Sequence, residues 1–285
     1  MSEVTWGIPV AVDLFFAGLG AGSFCFGVLA SRRRGAGWEA CSRLASFLAP
    51  LSIVIGLSML ILDLRNRPRF WMTLTVFNLH SPMSWGVWLL TAFFLISVVF
   101  AFYQLDPTIR LRIPWIGGWP LWNRPEWKNR IAFLGLLLAL GVATYTGVLL
   151  SASSVPLWRN LSLPFLFVLS ALCTGFAGGA ILGMLSLRKS ELGTMREPFQ
   201  FVKRSYRVLL PVYLAVGLFF AFSARPNTTG RGFIWWLATL ALGIVVPLIL
   251  VLGRKDLSTR RASLLFGCLL IGGFLLRTVL ILAGQ

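Results

Sequence analysis

Apolar and polar positions along the chain alternate in long blocks. Apolar stretches cover roughly residues 8–30, 45–64, 84–104, 131–151, 163–187, 208–224, 233–253 and 262–283. Each is long enough for a helix, rising 1.5 Å per residue, to cross a hydrocarbon core of about 30 Å. None shows the ten-residue alternating segments of a membrane β-barrel. The pattern predicts an all-α integral membrane protein with eight transmembrane helices. Connections are short except for 105–130 and 188–207. The first twelve residues, MSEVTWGIPVAV, lack a basic leader and a clear cleavage site, so the first apolar run reads as a retained span.

Composition agrees. Charged residues make up 12% of the chain, about half the share in a soluble domain. The formal net charge is +17. In a soluble protein that excess would suggest nucleic acid. Here the basic residues fall between spans, so the partner they indicate is the lipid bilayer, with no nucleic acid. With the N-terminus outside, the inner loops hold nineteen Lys and Arg and the outer loops six. By the positive-inside rule both termini are expected outside, on the periplasmic face of a bacterial or archaeal cytoplasmic membrane.

Four cysteines, Cys25, Cys41, Cys173 and Cys268, have no close partners in sequence. Neither zinc nor an iron–sulfur cluster is expected in this chain, and the thiols read as small packing residues. The single histidine, His80, cannot supply both axial ligands of a bis-histidine haem, so no haem is expected. Gly18 and Gly22 on the first span, and Gly175, Gly179 and Gly183 on the fifth, recur every four residues and predict close helix crossings. Glycine-rich faces followed by a basic loop on spans one and five, and Gly141–Tyr145 and Gly273–Arg277 on spans four and eight, suggest a thin internal repeat.

Ionisable groups inside a bilayer are costly, so they are the first functional candidates. Five fall at one depth near the outer surface: Asp13, Asp63 at the end of span two, His80 before span three, Tyr145 in span four and Arg277 in span eight. The inner loops carry charge but no buried polar set, and the inner halves of the spans read as nearly all apolar apart from Ser, Thr and Gly. Each residue also has a plain structural role open to it. Asp63 can pair with Arg65, Arg67 or Arg69, and Tyr145 can be a belt aromatic. Arg277 can snorkel to headgroups or pair with Asp13. His80 can orient a turn in which Ser81 or Ser84 caps span three. Taken together, His80, Asp13, Asp63 and Tyr145 are suitable types for quinol chemistry. A quinol needs a flat apolar slot, hydrogen-bond partners at both ring oxygens, and a base for its protons.

The stretches WGIPVAVDLFFAGLGAG (6–22), DLRNRPRFW with NLHSPMSWG (63–86), YTGVLLS (145–151) with PLW (156–158), and GGFLLRTVLILAGQ (272–285) carry a resemblance. Over nearly its whole length the chain resembles the NrfD/PsrC family, the quinol-interacting membrane subunits of polysulfide reductase and related complexes. The resemblance implies two four-helix bundles, residues 1–151 and 152–285, with no haem. A menaquinone or ubiquinone pocket is implied near the outer face of the first bundle. The partners implied are a ferredoxin-like subunit with several iron–sulfur clusters and a molybdopterin catalytic subunit. Carried over by position, Asp13, Asp63, His80 and Tyr145 fall in pocket-lining stretches, as do Ser81 and Trp85, while Arg277 belongs to the last-helix motif. His80, Asp13 and Asp63 are the candidates for proton transfer. Two other classes stay open: a proton-translocating or transporter-type module, and a structural anchor. Terminal substrate, quinone type, direction of electron flow and stoichiometry are not legible from these residues.

Overall fold

The structure is a computed structural model that describes residues 7–63, 82–112, 122, 124–153, 155–187, 189–224, 230–253 and 258–284. Eight of its helices are long and apolar enough to cross a membrane. The first is Ile8–Ser31, the second Ala36–Asp63, the third Pro82–Tyr103 and the fourth Pro125–Ser151. The fifth is Ser162–Ser186, the sixth Arg196–Ala224 and the eighth Thr259–Ala283. The seventh is built of three pieces, Gly230–Leu240, a π-helical turn Ala241–Val245, and Val246–Leu252. No strand occurs among the described residues. The protein is a multi-pass membrane protein.

Proline in the first turn starts the first and fourth helices, where a missing N–H costs nothing. The second, fourth and sixth helices begin several residues before their apolar stretches. Their first turns carry Glu39, Glu126 and Glu197, carboxylates that favour the positive end of a helix dipole. Hydropathy marks only the part of each helix that needs lipid, so these polar first turns escape it.

The first and fifth spans form the centre. The first packs against the second, fourth, fifth and eighth, and the fifth against the second, fourth, sixth and eighth as well. They cross where the sequence places small residues. A Cβ on Gly22 would run into the Ala171 carbonyl, and one on Gly175 into the Gly22–Ser23 backbone. Close backbone approach of this kind supplies the dispersion contact that holds helices together where lipid removes the hydrophobic drive. The π-turn meets the eighth span in a similar way, with Gly243 against Gly272. Trp158, 1% exposed, donates from Nε1 to the Leu280 carbonyl at 2.8 Å and ties the connection after span four to the last span. Large apolar side chains such as Phe133, Phe165, Phe222 and Ile234 stand on the outside, as a lipid-facing surface requires. Cys25, Cys41 and Cys173 are buried free thiols and Cys268 is half-buried.

Candidate functional site

The near end of the molecule, where the first span begins, brings together residues of the first four spans. Asp13 lies in the second turn of the first span and is half-buried. Its Oδ1 faces the second span at Gly56, where an added Cβ would stand only 2.8 Å away. Tyr145, on the fourth span, is also half-buried. Its phenol fills the space that a side chain on Gly86 of the third span would take, with both ring carbons and hydroxyl in the way. Tyr145 and Asp13 are within electrostatic reach of each other. So one carboxylate, one phenol and two glycines, each from a different span, come to one place.

Two features of that place carry chemistry. The Asp13 carboxylate and the Tyr145 hydroxyl have no hydrogen-bond or ion-pair partner among the described residues. Toward the described residues both keep their capacity to accept or donate, and an unmade hydrogen bond on a half-buried group is expensive. The two glycines leave the room that these side chains occupy. The arrangement suits a flat, weakly polar molecule with an oxygen for each group.

Arg277 behaves differently from either of its expected structural roles. It is completely buried, so it does not reach headgroups. It also makes no ion pair with Asp13. Its Nε donates to the Leu14 carbonyl at 3.0 Å, and its Nη1 donates to Ser170 Oγ and to the Gly273 carbonyl, each at 2.9 Å. Phe15 and Phe167 rings stand at 5.8 and 5.1 Å from the guanidinium carbon. Nη2 is buried without a hydrogen-bond partner among the described residues. Tyr213 of the sixth span lies beside Ser170 and Arg277. The sequence picks out Arg277 because a charge in a span is conspicuous. It does not pick out Ser170 or Tyr213, whose hydroxyls look ordinary until the fold brings them to the guanidinium.

Asp63 is the last residue of the second helix. Trp85 is 51% exposed, one residue before Gly86. His80 and Ser81 lie outside the described residues, as do Arg65, Arg67 and Arg69. Among the described residues no group of three His, Cys, Asp or Glu side chains could hold a metal ion.

The far end holds a feature that hydropathy hides. A cavity of about 600 Å³ opens there, lined by Arg33, Glu39, Ser42, Arg43, Gln104 and Lys128 among others. Gln104 Nε2 donates to Ser42 Oγ at 2.8 Å, and Lys128 Nζ to Gln104 Oε1 at 3.4 Å. Ser42 and Ser46 are buried. The expectation of no buried polar set on this side is therefore corrected. Serines lower mean hydropathy so little that a row of them on one helix face reads as apolar.

Three relatives show where such a protein is found. It is 30% identical to the C subunit of polysulfide reductase of Wolinella succinogenes, over 87% of its own length and 83% of that protein's. It is 28% identical to protein NrfD of Escherichia coli, over 99% and 96%. It is 24% identical to the Hdr-like menaquinol oxidoreductase integral membrane subunit of Archaeoglobus fulgidus, over 89% of its own length and 64% of that protein's. The family described as polysulphide reductase, NrfD, matches residues 1–285. The protein belongs to that family.

Proposed function

We propose that this protein is the quinol-reacting membrane subunit of a respiratory oxidoreductase complex. The reaction sits at the near end of the first four spans, between Asp13 and Tyr145. The observation that carries it is the pair itself: a half-buried carboxylate and a phenol with no hydrogen-bond partner among the described residues, held beside Gly56 and Gly86. The relatives named for polysulfide reductase and menaquinol oxidoreductase support the substrate class. Residues 1–151 form the quinone-binding half and residues 152–285 the second. The loop charges support periplasmic termini in the cytoplasmic membrane, with the site toward the outer face.

In this reading a quinol enters the slot from the lipid. Asp13 accepts the proton of one ring hydroxyl and, once that proton has left, the second, while Tyr145 donates a hydrogen bond to the other oxygen and holds the ring. Two electrons pass to an iron–sulfur cluster of a docked ferredoxin-like subunit, which feeds a molybdopterin subunit. Both protons leave on the outer side, by way of Asp63 and His80, while Ser81 and Trp85 shape the mouth. The reverse sequence reduces quinone. Quinol-dependent turnover of the purified complex, with assembly checked, tests this. Asp13→Asn and Tyr145→Phe lower it at least about tenfold, in the range of a lost acid–base group. Full activity in both variants would leave a structural anchor.

The far-end cavity favours a second reading, a proton-translocating module. Ser52 Oγ is buried without a partner, on the second span between the cavity-lining Ser42 and Gly56, the neighbour of Asp13. Proton uptake from the inner side during quinol turnover in vesicles would establish it, and release on the outer side alone would exclude it.

A further inference from the structure

We infer that Arg277 is a positioning residue for the site at Asp13, holding from the last span the turn of the first span on which that carboxylate stands. The inference rests on the quinol reading above.

The geometry is specific. Arg277 spends its Nε on the carbonyl of Leu14, the residue next to Asp13. That carbonyl belongs to a helix that also packs against the second and fourth spans. A helix carbonyl that already serves its own helix needs an open flank to accept a second donor. Gly18 provides the flank: a Cβ there would collide with Arg277 Nη2, and the next nearest atoms are the guanidinium carbon and Ala171 Cβ, both at 3.4 Å. The guanidinium therefore occupies the room that Gly18 leaves.

The other contacts of Arg277 fix it from the second half of the sequence. Ser170 belongs to the fifth span, and Gly273 to the eighth span itself. The eighth span is in turn set by the meeting of Gly272 with Gly243 at the π-turn. π-turns recur at functional sites, where they re-aim a helix face. A packing role alone does not call for a cation. A buried guanidinium with no carboxylate and one unpaired nitrogen among the described residues is costly, and an aliphatic side chain would fill the same space more cheaply. What the cation adds is a directed grip on one backbone atom beside the reacting group. It joins the half that holds the site to the half that does not.

The test compares wild type with Gly18→Ala, Arg277→Lys, Arg277→Met and the double variant Gly18→Ala/Arg277→Met. All are purified as the assembled complex and turned over with a water-soluble quinol. Saturable quenching of a fluorescent quinol-analogue inhibitor by each complex is measured alongside. Positioning predicts that Arg277→Met lowers kcat about tenfold while KM and analogue affinity move less than about threefold. Arg277→Lys, which keeps a donor for Leu14, recovers part of the loss. Gly18→Ala lowers kcat in the wild-type background and adds nothing once Arg277 is Met. Where Arg277→Met does not assemble, Gly18→Ala and Ser170→Ala with their double variant read the same coupling. Unchanged kcat in these variants, or losses that multiply independently, overturns the inference and leaves the quinol site standing. Absence of saturable quenching in wild type overturns the quinol site itself, and this inference with it.

Discussion

The phenol of Tyr145 lies where a side chain on Gly86 would be. The two residues come from different spans and are separated in sequence by the whole connection between spans three and four. Their contact explains why a glycine stands in SPMSWG beside exposed tryptophans: the third span must present bare backbone to the ring. Gly86→Ala is expected to push the phenol out of the slot, lowering quinol-dependent turnover about tenfold with the complex still assembled. Gly267→Ala, where nothing stands within reach of an added Cβ, is expected to leave turnover unchanged. Equal effects at the two positions would mean that the Tyr145 contact has no functional weight.

The crossing of Gly22 and Gly175 makes a different demand. Here an added side chain meets backbone, which cannot swing aside. Gly175→Val is expected to destabilise the central pair by about 3 kcal/mol or more. Yield of folded, detergent-stable protein measures it, with near wild-type yield as the contrary result.

Orientation can be read by chemistry. Leu161, 87% exposed after the fourth span, and Glu191, exposed after the fifth, stand on opposite sides in the proposed topology. The native thiols are buried or half-buried. An impermeant thiol reagent applied to intact cells with the outer membrane opened should label Leu161→Cys directly, and Glu191→Cys only after lysis. The reverse pattern would invert the protein and place the Asp13 end inside.

A local pH response is expected at the connection after span three. Asp106 accepts from the Thr108 hydroxyl at 2.7 Å and from the Thr108 amide at 2.9 Å, which together hold its carboxyl below the ordinary value of 3.8. The carboxylate is the form that caps the short helix Pro107–Leu111. The cap is therefore present at neutral pH and lost as pH falls through the depressed value. Amide protection in this helix should drop at acid pH in wild type, and Asp106→Ala should remove both cap and pH response.

Much of this architecture was legible in the sequence. Eight apolar stretches gave eight spans, because crossing a bilayer imposes a length that hydropathy reports directly. The glycine spacing on the first and fifth spans marked faces of close helix approach, since only small residues permit it, while the fold shows that those two faces meet each other. Asp13 and Tyr145 stood out as polar groups in spans, and the fold brings them together. Other parts depend on pairs far apart in the sequence. Nothing local marks Gly56 as the neighbour of Asp13, Gly86 as the seat of Tyr145, or Leu14 as the acceptor of Arg277. The far-end cavity was missed because its serines and glutamine are diluted by apolar neighbours along each helix. Only their convergence on one side makes a polar site.

The most direct measurement is a titration of the purified complex with a fluorescent quinol-analogue inhibitor, comparing wild type with Asp13→Asn, Tyr145→Phe and His80→Ala. A slot between Asp13 and Tyr145 predicts saturable quenching in wild type. The first two substitutions should each weaken it about tenfold, the size of one hydrogen bond to a charged group or somewhat less. His80→Ala then reports whether the histidine contributes to ligand binding. Saturable quenching indifferent to both Asp13→Asn and Tyr145→Phe would move the site elsewhere. No saturable quenching by the intact wild-type complex would contradict the assignment of quinol to this protein.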